Sequence, residues 1–455
     1  MSVTFRAELG AMVRLAAPIV VVQLGQMLMG VVDTVMVGHV SAEAIAAVAL
    51  GNLYFFGAAI FGMGALMALD PVVAQAVGAG DTVAVARGVQ RGLILALGLS
   101  VVATALLIPA QPVLHLLRQP PEVADVAATY ARIEIAGILP FYLFGAMRQS
   151  LQALKRIAPI VGAMVAGNLA NVGLNYLWIY GHWGFPAAGA VGSAWATAVS
   201  RWVMLALLFA VAWRTLKPHL LPWRREALAW GPLRRMVVLG APMGVQYELE
   251  YGVFAVVGIM MGWMGTAQLA GHQVALNLAS LAFMVPLGVS AAAAVLVGHA
   301  VGRGDIAAAR RAAAAGLACG VGFMAASALV MLTLPGLLAS LYTTDAGVAA
   351  LAASLIPIAG VFQVFDGIQV VSIGILRGVA DTRAPMVINV LGFWLVGLPV
   401  SAALGFGAGG GPRGLWWGLT VGLMLVGLVL IWRVRQKFSG EAVRRVVIDR
   451  DVVGA

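Results

Sequence analysis

Apolar runs, each about the length that crosses a hydrocarbon layer as a helix, follow one another along this chain with only short interruptions. A bilayer core takes ~20 consecutive apolar residues per helix. Read against their Gly, Pro and charge breaks, the runs lie near 10–37, 45–76, 83–110, 122–147, 156–180 and 187–213, then near 233–261, 266–300, 307–337, 346–376, 385–407 and 413–434. They predict an all-α integral membrane protein of about twelve transmembrane helices. Of the 455 residues, 62% are hydrophobic and 10% charged, whereas a soluble domain is nearer half apolar and a quarter charged. Little chain remains for a water-soluble domain.

The excess of 28 Lys+Arg over 18 Asp+Glu would fit a nucleic-acid partner only if the charges shared one soluble face. They sit instead in the gaps between apolar runs, which excludes that partner. Cys319 is the single cysteine, so neither an intrachain disulfide nor a cysteine metal site can form. The first run follows Arg6 and Glu8 and passes Met36 without a small-residue cleavage pattern, so it reads as a retained helix.

Lys and Arg orient the spans. With the N-terminus cytoplasmic, the cytoplasmic gaps hold Arg87, Arg91, Lys155, Arg156, Arg303, Arg310, Arg311, Arg377 and Arg383. The segment around 214–235 adds Arg214, Lys217, Arg224, Arg225, Arg234 and Arg235, and the tail adds Arg433, Arg435, Lys437, Arg444 and Arg445. The other side shows Arg118 and Arg413. Both termini are therefore expected in the cytoplasm.

An internal repeat appears at a shift of 224 positions, which lays Leu15-Ala16-Ala17-Pro18 on Leu239-Gly240-Ala241-Pro242 and Val77-Gly78-Ala79-Gly80-Asp81 on Val301-Gly302-Arg303-Gly304-Asp305. Farther on, Phe141-Tyr142-Leu143-Phe144 resembles Phe362-Gln363-Val364-Phe365 at a slightly smaller shift, pairing Arg156 with Arg377. The expected organisation is an N-terminal six-helix lobe over 1–213, a basic cytoplasmic linker over 214–232, a second six-helix lobe over 233–437 and a cytoplasmic tail over 438–455. Two parallel repeats with a cavity between them are a common plan for secondary transporters.

Ionisable groups at bilayer depth cost at least ~2.5 kcal/mol each, so those retained mark function or a specific partner. Asp33 sits in the first span among small residues and can hold a proton or Na⁺. Asn168, Asn171 and Asn175, spaced by three and four, share one helix face. With Asp33 they form an oxygen-rich set suited to a hard monovalent cation or a proton relay. Helix–helix hydrogen bonding is the alternative reading. Glu248 and Glu250 lie two apart and point about 200° away from each other, so at most one faces a cavity squarely. Asp366 is the only acid within the tenth span. Asp70, directly before Pro71, reads as a structural helix-end acid, Arg132 and Glu134 as a local interfacial charge group, and Arg201 as a partner for a helix-end acid.

These residues resemble the multidrug and toxic compound extrusion (MATE) transporters, particularly their NorM-like bacterial branch. The likeness covers nearly the whole chain. It is carried by Met29-Gly30-Val31-Val32-Asp33-Thr34-Val35-Met36-Val37-Gly38, Pro71-Val72-Val73-Ala74-Gln75, Asn171-Val172-Gly173-Leu174-Asn175-Tyr176, Ala270-Gly271-His272-Gln273-Val274-Ala275-Leu276-Asn277 and Asp366-Gly367-Ile368-Gln369-Val370-Val371 with Leu376-Arg377-Gly378. The resemblance implies a V-shaped pair of lobes in the bacterial inner membrane, exporting cationic drugs or dyes against Na⁺ or H⁺ by alternating access. It implies a monomer that needs no cofactor besides the coupling ion. Asp33 matches the N-lobe carboxylate, Asn171 and Asn175 its companions, and Glu250 and Asp366 the C-lobe cation-binding acids. Possible Na⁺ ligand sets are accordingly Glu250 with Asp366, or Asp33 with Asn171 and Asn175. Phe362 stands where members resembling the Na⁺-coupled type carry tyrosine, which removes one oxygen ligand, and Asp70 stands where an apolar residue is usual.

A lipid-linked precursor flippase shares this architecture, but its polyanionic cargo calls for Arg and Lys in the cavity, whereas this chain places mostly acids there. An enzyme is not expected, since the six histidines are scattered and neither HExxH nor a phosphate-binding Gly-Xaa-Lys-Thr/Ser loop occurs. The Gly-rich 77–81 segment reads as a structural loop because it recurs at 301–305.

Overall fold

The computed structural model describes residues 5–117 and 121–439. Its α-helices are α1 (Phe5–Gly38), α2 (Ala42–Leu66), α3 (Leu69–Gly78), α4 (Thr82–Leu107), α5 (Ala110–Leu116), α6 (Pro121–Ala153), α7 (Ala158–Tyr180) and α8 (Gly189–Leu220), followed by α9 (Trp230–Met264), α10 (Thr266–Arg303), α11 (Ile306–Thr333), α12 (Pro335–Ser340), α13 (Ala346–Gly378), α14 (Arg383–Asn389), α15 (Leu398–Ala402) and α16 (Gly411–Ser439). A 3₁₀ turn at Arg225–Leu228 precedes α9, and π-helical stretches at Val390–Gly397 and Ala403–Gly407 continue α14 and α15. Arg118, Arg444, Arg445 and most of the expected tail lie outside the described residues.

Eleven of the spans among the described residues are long and apolar enough to cross a membrane, counting α2 with α3 as one and α14 through Gly407 as another. The 35-residue α9 completes the expected twelve and falls short only in apolarity, since it carries Arg234, Arg235, Glu248 and Glu250. The chain is thus a multi-pass helical membrane protein.

The loop repeat has a simple physical basis. Gly80 and Gly304 adopt φ of +73° and +80°, the left-handed conformation that lets a helix end abruptly. Asp81 and Asp305 then cap the next helices, accepting from the Ala84 and Ala308 amides at 2.9 and 2.8 Å. Farther along, the register expected from the aromatic clusters is displaced by one turn. Helices α6 and α13 are each 33 residues long, and their ends match at a shift of 225 positions. Lys155 and Ala380, also 225 apart, close them with positive φ. A slip of four residues keeps the same helix face, which is why the Phe141–Phe362 match looked sound.

Two compact units emerge, one of residues 21–77 and 81–244, the other of residues 5–20, 78–80 and 245–439. Each of α1 and α9 therefore contributes to both. The handover falls after Val20 in α1 and after Gly244 in α9, 224 positions apart, each two residues beyond an in-helix proline, Pro18 or Pro242. In the N-terminal unit α6 packs against α2, α4 and α8, and α7 against α8. The 230–244 stretch of α9 joins them, with Gly240 close against the Ala65 carbonyl. In the C-terminal unit α13 packs against α10, α11 and α16. The start of α1 joins these helices, Val20 against Gly288 and Glu8 at 3.7 Å from Arg311.

The basic linker is held to the N-terminal unit chiefly through the buried Gln90 side chain. The Gln90 Nε2 group lies 3.2 Å from each of the His219, Leu220 and Pro222 carbonyls, and its Oε1 accepts from the Arg224 amide at 3.0 Å. Arg91 adds a bond to the Glu226 carbonyl at 2.8 Å. Gln90→Ala strands these groups, so we expect a loss of about 1–3 kcal/mol of stability. The change is read as a lower unfolding temperature in detergent and faster proteolytic cleavage within 214–232.

Candidate functional site

Asp33, on α1, is buried to 2% exposure and is the focus of a polar cluster inside the N-terminal unit. From α7, the Asn175 and Asn171 amides donate to Asp33 Oδ1 at 2.6 and 3.0 Å. From α8, the Thr197 hydroxyl donates to Oδ2 at 2.6 Å. Asn175 also donates to Asn171 Oδ1 at 3.2 Å, and Asn171 to Thr197 Oγ1 at 3.3 Å, closing the ring of contacts. Spacing of one turn puts both asparagines on one face of α7, and Gly167 lets that helix approach α8 at Met204. Every one of these hydrogen-bond partners is an uncharged donor.

Asn168 belongs to the same helix face but not to this cluster. Its amide donates to the Gly25 and Met164 carbonyls at 3.1 and 2.9 Å, two turns before Asp33 along α1. That is the helix–helix hydrogen bond weighed for asparagine. Thr197 has no counterpart in the sequence reading, because a lone threonine in an apolar span carries no signal until α8 is laid beside α1.

Glu134 and Arg201 correct the sequence reading. The two are buried and ion-paired, Arg201 Nη1 with Glu134 Oε2, while Arg132 is exposed and bonds Gln111 Oε1 at 3.2 Å. Residues 132 and 134 are two apart on α6 and so face opposite ways, which rules out one shared interfacial group. The Arg201 guanidinium also lies over the Phe55 and Phe141 rings, 4.4 and 5.2 Å from their centres. Asp70 is buried in the first turn of α3, where α2 has broken at Met67, and a helix start favours an acid.

In the C-terminal unit, Glu250 lines a narrow cleft with Gln246, Leu249, Asn389, Val390, Phe393 and Trp394. Gln246 and Gln369 hydrogen-bond its carboxylate, and Gln369 Nε2 donates onward to Asn389 Oδ1 at 2.8 Å. Trp394 Nε1 donates to the Leu249 carbonyl at 3.2 Å, fixing the indole at the cleft's edge. The lining from Val390 to Trp394 belongs to the π-helical stretch, a geometry that recurs where helices serve binding. Asp366 is buried on α13, within electrostatic reach of Glu250, whereas Glu248 does not line the cleft. Phe362, one turn before Asp366, packs edge-on against Trp416 at 5.7 Å and Phe254 at 6.3 Å.

The MatE family model matches residues 18–177 and 242–403. The multidrug resistance protein NorM of Burkholderia vietnamiensis is 37% identical over 433 residues, covering 94% of this chain and 93% of its own. The multidrug resistance protein PmpM of Pseudomonas aeruginosa is 37% identical over 436 residues, covering 94% and 91%. Among solved structures, the eukaryotic MATE transporter AtDTX14 superposes with a TM-score of 0.87 at 20% identity over 94% of this chain and 96% of its own. The Vibrio cholerae MATE transporter VcmN in its bent form gives 0.84 at 19% over 95% and 97%. With two matched segments spanning most of its length and relatives this similar from end to end, the chain belongs to the MatE family of membrane transporters.

Proposed function

We propose that this protein is a multidrug efflux transporter of the bacterial inner membrane, exporting organic cations by antiport with Na⁺ or H⁺ through alternating access. The observation that carries the reading is Asp33, whose two carboxylate oxygens are taken by Thr197, Asn171 and Asn175 in an otherwise apolar helix bundle. A carboxylate held by neutral donors is one monovalent cation short of neutrality. A proton, Na⁺ or an organic cation can each supply that charge, and their competition for it couples inward ion flow to drug release. The Glu250 cleft and Asp366 form a second acidic station, within electrostatic reach of each other. Buried bases are already engaged, Arg201 by Glu134 and Arg148 by Gln23 and Gln26 at 3.1 and 2.7 Å, which disfavours a polyanionic lipid cargo. Both termini face the cytoplasm in this reading, and the working form is a monomer of two lobes joined by the 214–232 linker.

The test is dye efflux from energised membrane vesicles, with a Na⁺ pulse and a pH jump applied separately. Efflux of a fluorescent cationic dye driven by one of the two ions is expected and names the coupling ion. Dye retention under both gradients would sink the antiport reading and turn attention to lipid-linked cargo.

A further inference from the structure

The N-terminal site contains a second carboxylate and a guanidinium that the exchange of one cation at Asp33 does not by itself require. Thr197, which bonds Asp33, and Arg201 lie one turn apart on the same face of α8. Arg201 is also close enough for its charge to act on Asp33. Its partner Glu134 is fully buried, and only one carboxylate oxygen is occupied, since Oε1 has no hydrogen-bond partner. Pairing an arginine with a half-satisfied buried acid is a poor way to stabilise a fold, because replacement of such pairs by apolar residues is often neutral or better. The Phe55 and Phe141 rings lie over the guanidinium, a cation–π arrangement that favours this position.

We infer that Glu134 and Arg201 are a positioning pair that sets how tightly Asp33 holds the exchanged cation. The inference rests on the reading of Asp33 as the exchange site. Asp33, Arg201 and Glu134 together carry one net negative charge when empty and none when a monovalent cation is loaded. In the empty state the guanidinium is paired with Glu134 and its charge also favours the bare Asp33 carboxylate. Once Asp33 is neutralised, Arg201 belongs to Glu134 alone. The pair thus makes a bare Asp33 tolerable inside an apolar bundle, which the transporter needs each time it releases the coupling ion.

Among the neighbouring titratable side chains, Tyr130 of α6 lies within electrostatic reach of Glu134, Asp33 and Arg201. The Tyr130 hydroxyl donates to Asn52 at 3.3 Å, Tyr180 of α7 to the Met36 carbonyl at 2.7 Å, and His39, just past the end of α1, bonds the Val35 carbonyl at 2.8 Å. Tyr176 stacks on His182, and Arg91 of α4 bonds the Glu226 carbonyl.

The experiment compares Glu134→Gln, the double variant Glu134→Gln with Arg201→Met, and Asp33→Asn by the cation concentration that gives half-maximal dye efflux. Glu134→Gln leaves the guanidinium uncompensated beside Asp33, so that concentration rises roughly tenfold. The double variant removes the competing positive charge without leaving an unpaired acid, and the concentration falls below wild type. Opposite shifts in folded protein are the signature of charge acting on Asp33, because damage to packing would move both variants the same way. Shifts in one direction, or two values within about twofold of wild type, well inside one tenfold step, overturn the positioning role. Undiminished coupling in Asp33→Asn would instead overturn the reading of the site itself.

Discussion

Replacing Asp33 with asparagine is expected to abolish cation-driven export while the protein still inserts and folds. The substitution is nearly isosteric and keeps one oxygen for the Asn171, Asn175 and Thr197 donors, which lie 3.0, 2.6 and 2.6 Å from the carboxylate. The other oxygen becomes an NH₂ group that faces donors or a hydroxyl, and the charge that would bind the exchanged ion is gone. Losing one charged hydrogen-bond acceptor is worth about 2 kcal/mol or more, so cation affinity falls by at least roughly 30-fold. The measurement is ion-driven dye efflux in vesicles, normalised to protein that elutes as a single species in detergent. Efflux within about twofold of wild type, far short of that 30-fold loss, would remove Asp33 from the exchange cycle.

The second large effect is structural. Gly374 lies on α13 two turns after Asp366, and a Cβ at this position would overlap the Ser290 carbonyl oxygen of α10. A Cβ at Gly378, one turn farther, would come within 2.8 Å of the Ala294 carbonyl oxygen, so the pair is a small-residue seam at which two helices approach closely. Ser290 Oγ donates to the Val370 carbonyl at 2.7 Å across the same seam. Gly374→Leu must push α10 and α13 apart and break that bond. Overpacking against backbone rather than a mobile side chain puts the cost at about 3 kcal/mol or more. The expected result is little monodisperse protein after solubilisation, with what remains unfolding at lower temperature. A normal yield and unfolding temperature would show that the helices can separate without loss.

Span number and the repeat were legible because periodicity and charge interruption report directly on what a bilayer accepts. The exact pairing of the halves was less so. A one-turn slip between α6 and α13 preserves every face-based cue, and only helix ends, closed by Lys155 and Ala380 at positive φ, discriminate between registers. At the site, Asp33, Asn171 and Asn175 could be singled out because an acid and amides are rare in apolar spans. Thr197 was invisible, since a hydroxyl costs little in a helix and bonds its own backbone readily. Spacing alone groups Glu134 with Arg132 and leaves Arg201 for a helix-end acid, whereas the structure pairs Glu134 with Arg201. Pairing across 67 positions depends on which helices touch, α6 with α8, and single-chain spacing does not contain that information.

The sharing of α1 and α9 between units bears on how such a chain can be divided. A break in the 214–232 linker would leave a first fragment carrying residues 5–20 that belong to the second unit, and a second fragment carrying residues 230–244 that belong to the first. Neither fragment encodes a whole unit. Two fragments completing each other by exchanging helix ends have the topology of a domain-swapped dimer written into one polypeptide.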